Sequence, residues 1–238
     1  MSIISLDPYM FTKNNLNKYY FLSEDSFKNL NYKVELSKKL INSKKINENK
    51  NFSIHQDDQL FWAFYIFKNG YEEYHLINNF FIMEKNIKIE NVIKIRENRD
   101  LLKANKIVKS AVENELANEK TISLITLNAL ALIYKLNILY IKKRIIYVMN
   151  YDDDAVINCK NIIEETTNKN IDLISMDKEI INQILDDYYI VNNVSKPINA
   201  LSYYKVNDLI NIGKKLNLDI SNKKKQILYT EIVNFINN

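Results

Sequence analysis

The chain has very few residues of the types that tight turns and metal sites need. Its 238 residues include 2 glycines, 2 prolines, 1 cysteine and 2 histidines. Phosphate-binding loops, dinucleotide-binding turns and nucleophile elbows all need glycine where the backbone turns sharply, and Gly70 and Gly213 cannot supply any of these motifs. One cysteine forms no intrachain disulfide and, with two histidines, cannot complete a structural zinc site. We therefore expect no metal and no cofactor, and we favour a protein that is not an enzyme.

The remaining composition is that of a folded protein. Hydrophobic residues make up 47% and charged residues 26% of the chain, which excludes a wholly disordered or collagen-like protein. No apolar run reaches the roughly 18 residues that span a bilayer, and the N-terminal MSIISLDPYMFTKNN lacks the regions of a signal peptide. We expect a protein that is not secreted, has no membrane partner and keeps Cys159 unpaired in a reducing compartment.

The excess positive charge lies at the C-terminus. The formal net charge is +4, and residues 196–238 contain seven lysines and three acids, so residues 1–195 are neutral overall. Residues 150–190, in contrast, contain ten acids and three lysines. A basic segment of this kind favours phosphate-bearing partners, whereas the acidic stretch could repel nucleic acid locally or hold the basic tail in the absence of a partner.

Hydrophobic patterning predicts an α+β fold with a buried central helix and a small, mainly antiparallel sheet. The segment LFWAFYIFK is apolar on every face, which indicates a helix surrounded by the core. Ser53 and Gln56 have capping-box spacing before it, Asp57 and Asp58 favour the positive end of a helix, and Gly70 is a good stop.

Other elements are predicted along the same domain. Met83–Ala117 reads as one long helix or two consecutive ones, with Ile89, Val92, Ile93 and Val108 in its inward stripe. We also expect a helix at 26–41, a helix capped by Thr121 or Ser123, a hairpin of 138–141 with 145–149, short strands at 155–159 and 171–175, and a helix at 177–189.

A boundary is predicted near Pro197, in the segment VNNVSKPINA. We expect a main α+β domain at residues 1–195 and a small basic module at residues 196–238. The module should consist of two short amphipathic helices, one around Leu209 and Leu216 and the other around Leu228 and Ile232.

The segment YYKVNDLINIGKKLNLDISNKKKQILYTEIVNFI resembles the SAP family of helix-extension-helix DNA-binding modules. Asn217 and Asn222 stand where that family has glycines in its link. The resemblance implies binding to the phosphate backbone of nucleic acid, DNA in the first place. The candidate contacts are Lys205, Lys214, Lys215, Lys223, Lys224 and Lys225. Lysines next to helix ends support this role, although the same residues also fit another partner or an ordinary solvated surface.

Most of the chain is similar to a family of proteins from giant nucleocytoplasmic DNA viruses. The segments DDQLFWAFYIFKNGYEEY, IKIENVIKIRENRDLLK, LNALALIYKLNILYIKKRIIYVM and KPINALSYYKVNDLINIGKKLNL carry the similarity. It implies a viral protein of the host cytoplasm, in a virus factory or a virion, with other viral proteins as further partners. No activity comes with it.

A second resemblance concerns the buried helix. FWAFY resembles the CWAF segment of papain-like cysteine peptidases, and LNALALIYKLNILYI resembles the helix and strand that follow in ovarian-tumour-domain proteases. Phe61 or Ala63 stands where those enzymes have their nucleophilic cysteine, so this alternative is an inactive peptidase-like fold that acts as a protein-interaction module. A dyad of His55 and Cys159 is the remaining catalytic possibility.

Two minor sites complete the candidates. Asp152–Asp154 offer oxygen ligands that a divalent cation prefers, and the turn Lys142–Arg144 offers a second phosphate contact. Acidic loops and charged turns are also common on ordinary protein surfaces.

Overall fold

The computed structural model describes residues 51–149, 159–221 and 223–237, which belong to the compact unit that spans Asn49–Asn238. The predicted helix at 26–41, the candidate cation site Asp152–Asp154 and most of the strand predicted at 155–159 lie outside the described residues. The described elements are, in chain order, β1 (Phe52–Ser53), α1 (Gln59–Asn69), α2 (Tyr71–His75), α3 (Phe80–Glu97), α4 (Arg99–Ala104), α5 (Lys109–Asn118), α6 (Leu124–Tyr134), β2 (Ile138–Lys142), β3 (Ile145–Met149), β4 (Asn161–Glu165), β5 (Ile171–Ile174), α7 (Lys178–Asp187), β6 (Tyr189–Val191), α8 (Val206–Lys215) and α9 (Lys225–Asn237).

Helix α1 is the buried central helix that the sequence predicts. Six consecutive residues, from Phe61 to Ile66, are buried, and Gly70 ends the helix with a positive φ of 95°. Asp58, rather than Ser53, caps the N-terminus, since its carboxylate accepts the Phe61 amide. Ser53 instead lies in β1, where its hydroxyl donates to Asp172 over 2.5 Å.

The long helical region forms three helices instead of one or two. Helices α3 and α4 are separated at Asn98, and Lys106, with a φ of 58°, lies in the break before α5. The predicted inward stripe is wrong at Ile89 and Ile93, which are each 52% exposed, and at Val108. The buried face of α3 contains two polar side chains instead, Lys88 and Asn91. Both are buried because they have polar partners inside the protein.

The six strands form one mixed sheet, in the order β1-β5-β4-β2-β3-β6. The hairpin of β2 and β3 is confirmed, with Tyr140 opposite Tyr147. Strand β5 confirms the prediction at 171–175. Three of the five pairings are antiparallel, but β4 runs parallel to β2 and β6 runs parallel to β3. The α+β class is therefore confirmed, with a sheet larger and more mixed than the sequence indicates.

Both faces of the sheet are covered. Along β2, Ile138 and Tyr140 face the core that contains α1, whereas Leu139 and Ile141 face a second cluster on the opposite side. Helix α7 covers that second cluster through Ile181. The strands are apolar on both faces for this reason. In the sequence, such a strand is indicated by a continuous apolar run rather than by alternating apolar and polar residues.

The two predicted C-terminal helices are confirmed as α8 and α9. Their buried side chains belong to the same continuous core as α1 and the first face of the sheet. The predicted boundary between residues 195 and 196 therefore falls within one core, and limited proteolysis is the test of that boundary. The C-terminal members of this core are Leu209, Leu216, Leu228, Ile232 and Ile236.

Candidate nucleic-acid interface

The structure places the six predicted lysines on one two-helix unit. Lys205 precedes α8, Lys214 and Lys215 end it, Lys223 and Lys224 precede α9, and Lys225 begins it. The two helices pack on each other and bury their apolar faces. The lysines lie at the helix ends and in the link between the helices.

The link between the helices is tightly fitted to α8. Asn217 has a φ of 55°, and the amide of Leu218 donates to the Gly213 carbonyl over 2.9 Å. Asparagine accepts this left-handed conformation more readily than most residues. Gly213 itself is needed for a close approach, because a Cβ atom there would lie 2.7 Å from Ile220 Cγ2.

Lys223 differs from the other five lysines because it has ionic partners within the module. Its ammonium donates to both carboxylate oxygens of Glu231, at 2.9 and 2.8 Å, and lies 3.6 Å from Asp219. The hydrogen bond to Glu231 raises the pKa of Lys223, and hydrogen bonds from Ser221 lower the pKa of Asp219. The Lys223 ammonium is therefore engaged in contacts within the segment that contains the link and α9.

The other five lysines form what we call the lysine patch: Lys205, Lys214, Lys215, Lys224 and Lys225. None of them has an ion pair with any residue that the structure describes. The remaining acid of the module, Asp208, accepts the backbone amide of Lys205 over 2.7 Å. The charge of the patch is therefore largely uncompensated within the described part of the chain.

The side chains of the turn Lys142–Arg144, the second candidate phosphate contact, have partners within the protein. The Arg144 guanidinium donates to the Lys215 carbonyl over 2.6 Å and to the Asp187 carbonyl over 3.1 Å. These are the last residues of α8 and α7, so Arg144 satisfies unpaired carbonyls at the ends of two helices at once. The Lys143 ammonium lies 5.4 Å from the Phe235 ring, and Lys142 pairs with Glu165.

His55 and Cys159 are not brought together. The Ile54 amide donates to Ile171, so His55 follows at the end of the sheet where β5 begins and its partner β4 finishes. Cys159 comes before β4 begins, and a five-residue strand spans about 16 Å. Cys159 is also buried, its thiol donates to the Asn137 carbonyl over 3.0 Å, and burial raises its pKa. This thiol lacks the setting of a nucleophile.

A buried polar cluster lies at the N-terminus of α1 and is not among the sites predicted from the sequence. The Lys88 ammonium donates to Asp58 over 2.6 Å, to Glu84 over 2.9 Å and to the Lys120 carbonyl over 3.1 Å. Trp62 donates its indole N–H to Glu84 over 2.9 Å. The spacing of Glu84 and Lys88 by four residues on one helix is a signal that could have indicated it.

The electrostatics of this cluster indicate a structural role. Burial alone would lower the pKa of Lys88, but its hydrogen bonds to Asp58 and Glu84 outweigh that effect and raise it. All three ammonium protons have acceptors, so Lys88 offers neither a nucleophile nor a free donor. The cluster fastens α1, α3 and the segment before α6 to one another, since Asp58 also accepts the Ile122 amide.

Comparisons with protein-family models, with curated protein sequences and with solved structures give no match to this chain. Within the described ranges, no group of three or more histidine, cysteine, aspartate or glutamate residues is placed to hold a metal ion. The described helices also include none that is both long enough and apolar enough to cross a membrane.

Proposed function

We propose that this protein binds nucleic acid without catalysis, through phosphate contacts of the lysine patch. One observation carries the proposal: of the three acids in residues 196–238, Asp219 and Glu231 are both paired with Lys223, and Asp208 forms no ion pair with a described residue. Five ammonium groups are left without ionic partners among the described residues. Ammonium groups at the ends of two packed helices are suited to a polyanion, and the phosphate backbone is the polyanion that every nucleic acid offers.

The expected binding is weak and independent of sequence. Phosphate contacts position a protein on nucleic acid but do not read bases, and five contacts correspond to a dissociation constant in the nonspecific range of about 10⁻⁴ to 10⁻⁶ M. The similarity to proteins of giant DNA viruses would place this activity in a virus factory or a virion, with DNA as the ligand. Many copies on one DNA molecule would then make weak contacts effective.

The decisive experiment measures how binding of the full chain to duplex DNA depends on salt. We compare the wild type with a triple variant in which the exposed patch residues Lys205, Lys214 and Lys224 become alanine. The plot of log K against log salt should be linear, and each lysine lost should reduce its slope by about 0.9. The triple variant should therefore bind more weakly to all sequences alike.

A matched triple variant controls for net charge. It removes Lys85, Lys103 and Lys178, which are also exposed but lie on α3, α4 and α7. This control should keep the wild-type slope and affinity. Equal losses in the two triple variants would show that net charge alone drives binding, and no salt dependence in the wild type would contradict phosphate contacts altogether.

A second candidate function is the inactive peptidase-like interaction module, and the outer face of α3 favours it. Ile82, Ile89 and Ile93 are exposed on one side of α3, and Phe81, which is 76% exposed, lines one cavity together with Ile89. An apolar stripe of this kind is typical of a protein-binding surface. A partner bound there should be lost when Phe81→Ser and Ile89→Lys are combined, and the patch triple variant should retain it.

A further inference from the structure

We propose that Tyr203 is a stacking platform for an unpaired base, which makes single-stranded nucleic acid the preferred ligand of the lysine patch. The inference rests on the proposed function and adds the class of nucleic acid to it. Tyr203 ends a short 3-10 helix, Leu201–Tyr203, and two residues separate it from α8. Its side chain is 72% exposed, the largest value for any tyrosine in the described part of the chain.

The backbone places Tyr203 and Lys205 on the same side of the chain. Tyr204 and Lys205 have extended backbone conformations, with ψ angles of 144° and 164°. Side chains two residues apart project to the same side of an extended segment. The exposure agrees, because Tyr203 and Lys205 are exposed and Tyr204 between them is partly buried. An aromatic ring and an ammonium group therefore face solvent together.

Tyr204 supports the Tyr203 ring through a direct contact. Its hydroxyl accepts the Asn199 amide over 3.0 Å, and its ring contacts Tyr203 edge to face, with centroids 5.1 Å apart at an angle of 81°. Whichever ring presents its edge in that contact, at least one face of Tyr203 stays open to solvent. A supported aromatic ring with an open face loses little conformational entropy when a base stacks on it.

A ring next to a cation distinguishes single strands from duplexes. The bases of a duplex are stacked on each other, and their faces are closed to a side chain on the protein surface. A single strand offers both a free base face for Tyr203 and a phosphate for Lys205, the combination that nonspecific single-strand binders use. Phosphate contacts by lysine alone would not separate the two ligands.

The test uses the full chain and two probes, an oligothymidylate and a duplex of the same length. Tyr203→Ala should weaken binding to the single strand by about five- to 140-fold, and Tyr203→Phe, which keeps the ring, should bind as the wild type does. Affinity for the duplex should not change. The salt slope on the single strand should also stay constant, because no charge is removed.

Tyr71→Ala is the matched control, since Tyr71 is also an exposed tyrosine but lies on α2. It should leave both affinities unchanged, and thermal unfolding should confirm that each variant is folded. Unchanged single-strand affinity in Tyr203→Ala, or an equal loss on both probes, would overturn the stacking role while leaving phosphate binding in place. Absence of binding to either probe, or insensitivity to the lysine triple variant, would instead remove the proposed function and the stacking role with it.

Discussion

At the scale of single residues, the ion pair of Asp58 and Lys88 shows how a charge becomes part of a core. Both side chains are almost fully buried, and Lys88 reaches three acceptors. A buried pair of this kind adds little net stability by itself, but removing one partner leaves the other charge buried and uncompensated. Its importance should therefore become visible when only one partner is changed.

Lys88→Met should lower the free energy of unfolding by about 3–5 kcal/mol, measured by urea denaturation. The double variant with Asp58→Asn should recover part of that loss, because the uncompensated carboxylate is gone. Lys94→Met is the control, since the solvent-exposed pair of Lys94 and Glu97 should contribute little to the free energy of unfolding. Additive losses in the double variant would show that the two residues do not act as a pair.

The alkaline pH dependence of this pair follows from the direction of the Lys88 shift, whereas burial raises the pKa of Asp58 and affects stability only in the acidic range. The pKa of Lys88 is higher in the folded protein than the ordinary lysine value. The stability that it contributes is therefore complete at neutral pH, and it declines only when the pH rises through the alkaline range toward the folded pKa. Unfolding of Lys88→Met should lack this alkaline component.

At the scale of helices and strands, the sequence predicts the elements whose signals are local. Helix α1 is apolar on all faces, the β2–β3 hairpin has two apolar runs around a charged turn, and α8 and α9 are amphipathic. Each of these patterns lies within a few residues of the element that it specifies.

The elements that the sequence misses depend on distant partners. Strand β4, with the sequence NIIEE, is specified by its parallel pairing with β2 and its antiparallel pairing with β5. The direction of the buried face of α3 depends on Asp58 and Tyr134. These two residues are the polar partners of Lys88 and Asn91, which are buried. No periodicity rule predicts a lysine inside the core, because an unpaired lysine is almost never buried.

The candidate interface divides in the same way. Charge alone predicts which lysines belong to it, since the excess of lysine lies at the end of the sequence. Charge does not predict that Lys223 is tied to Glu231, eight residues further on, or that Arg144 joins the ends of α7 and α8. Those contacts require the geometry of the link and the position of the β2–β3 turn.

At the scale of the whole described unit, the segment before α8 is held by several tyrosine hydroxyls. Tyr189 donates to the Pro197 carbonyl over 3.0 Å, and Tyr229 donates to the Asn199 carbonyl over 2.9 Å. Val194 is buried, and Ile198 packs against the core. A segment with these contacts differs from an exposed polar linker, in which few contacts would cross the boundary.

We therefore expect limited proteolysis with a protease of broad specificity to spare residues 192–204 in the wild type. Proteolysis of a folded protein requires local opening, and the tyrosine contacts and the Arg144 bonds oppose that opening here. Arg144→Ala should expose this segment to cleavage at protease concentrations that leave the wild type uncut, because the ends of α7 and α8 lose their common donor. Mass spectrometry of the first fragments gives the cleavage sites. Early cleavage of the wild type between Val191 and Ser202, with residues 1–190 left folded, would instead support the division into two domains that Pro197 and the charge distribution predict.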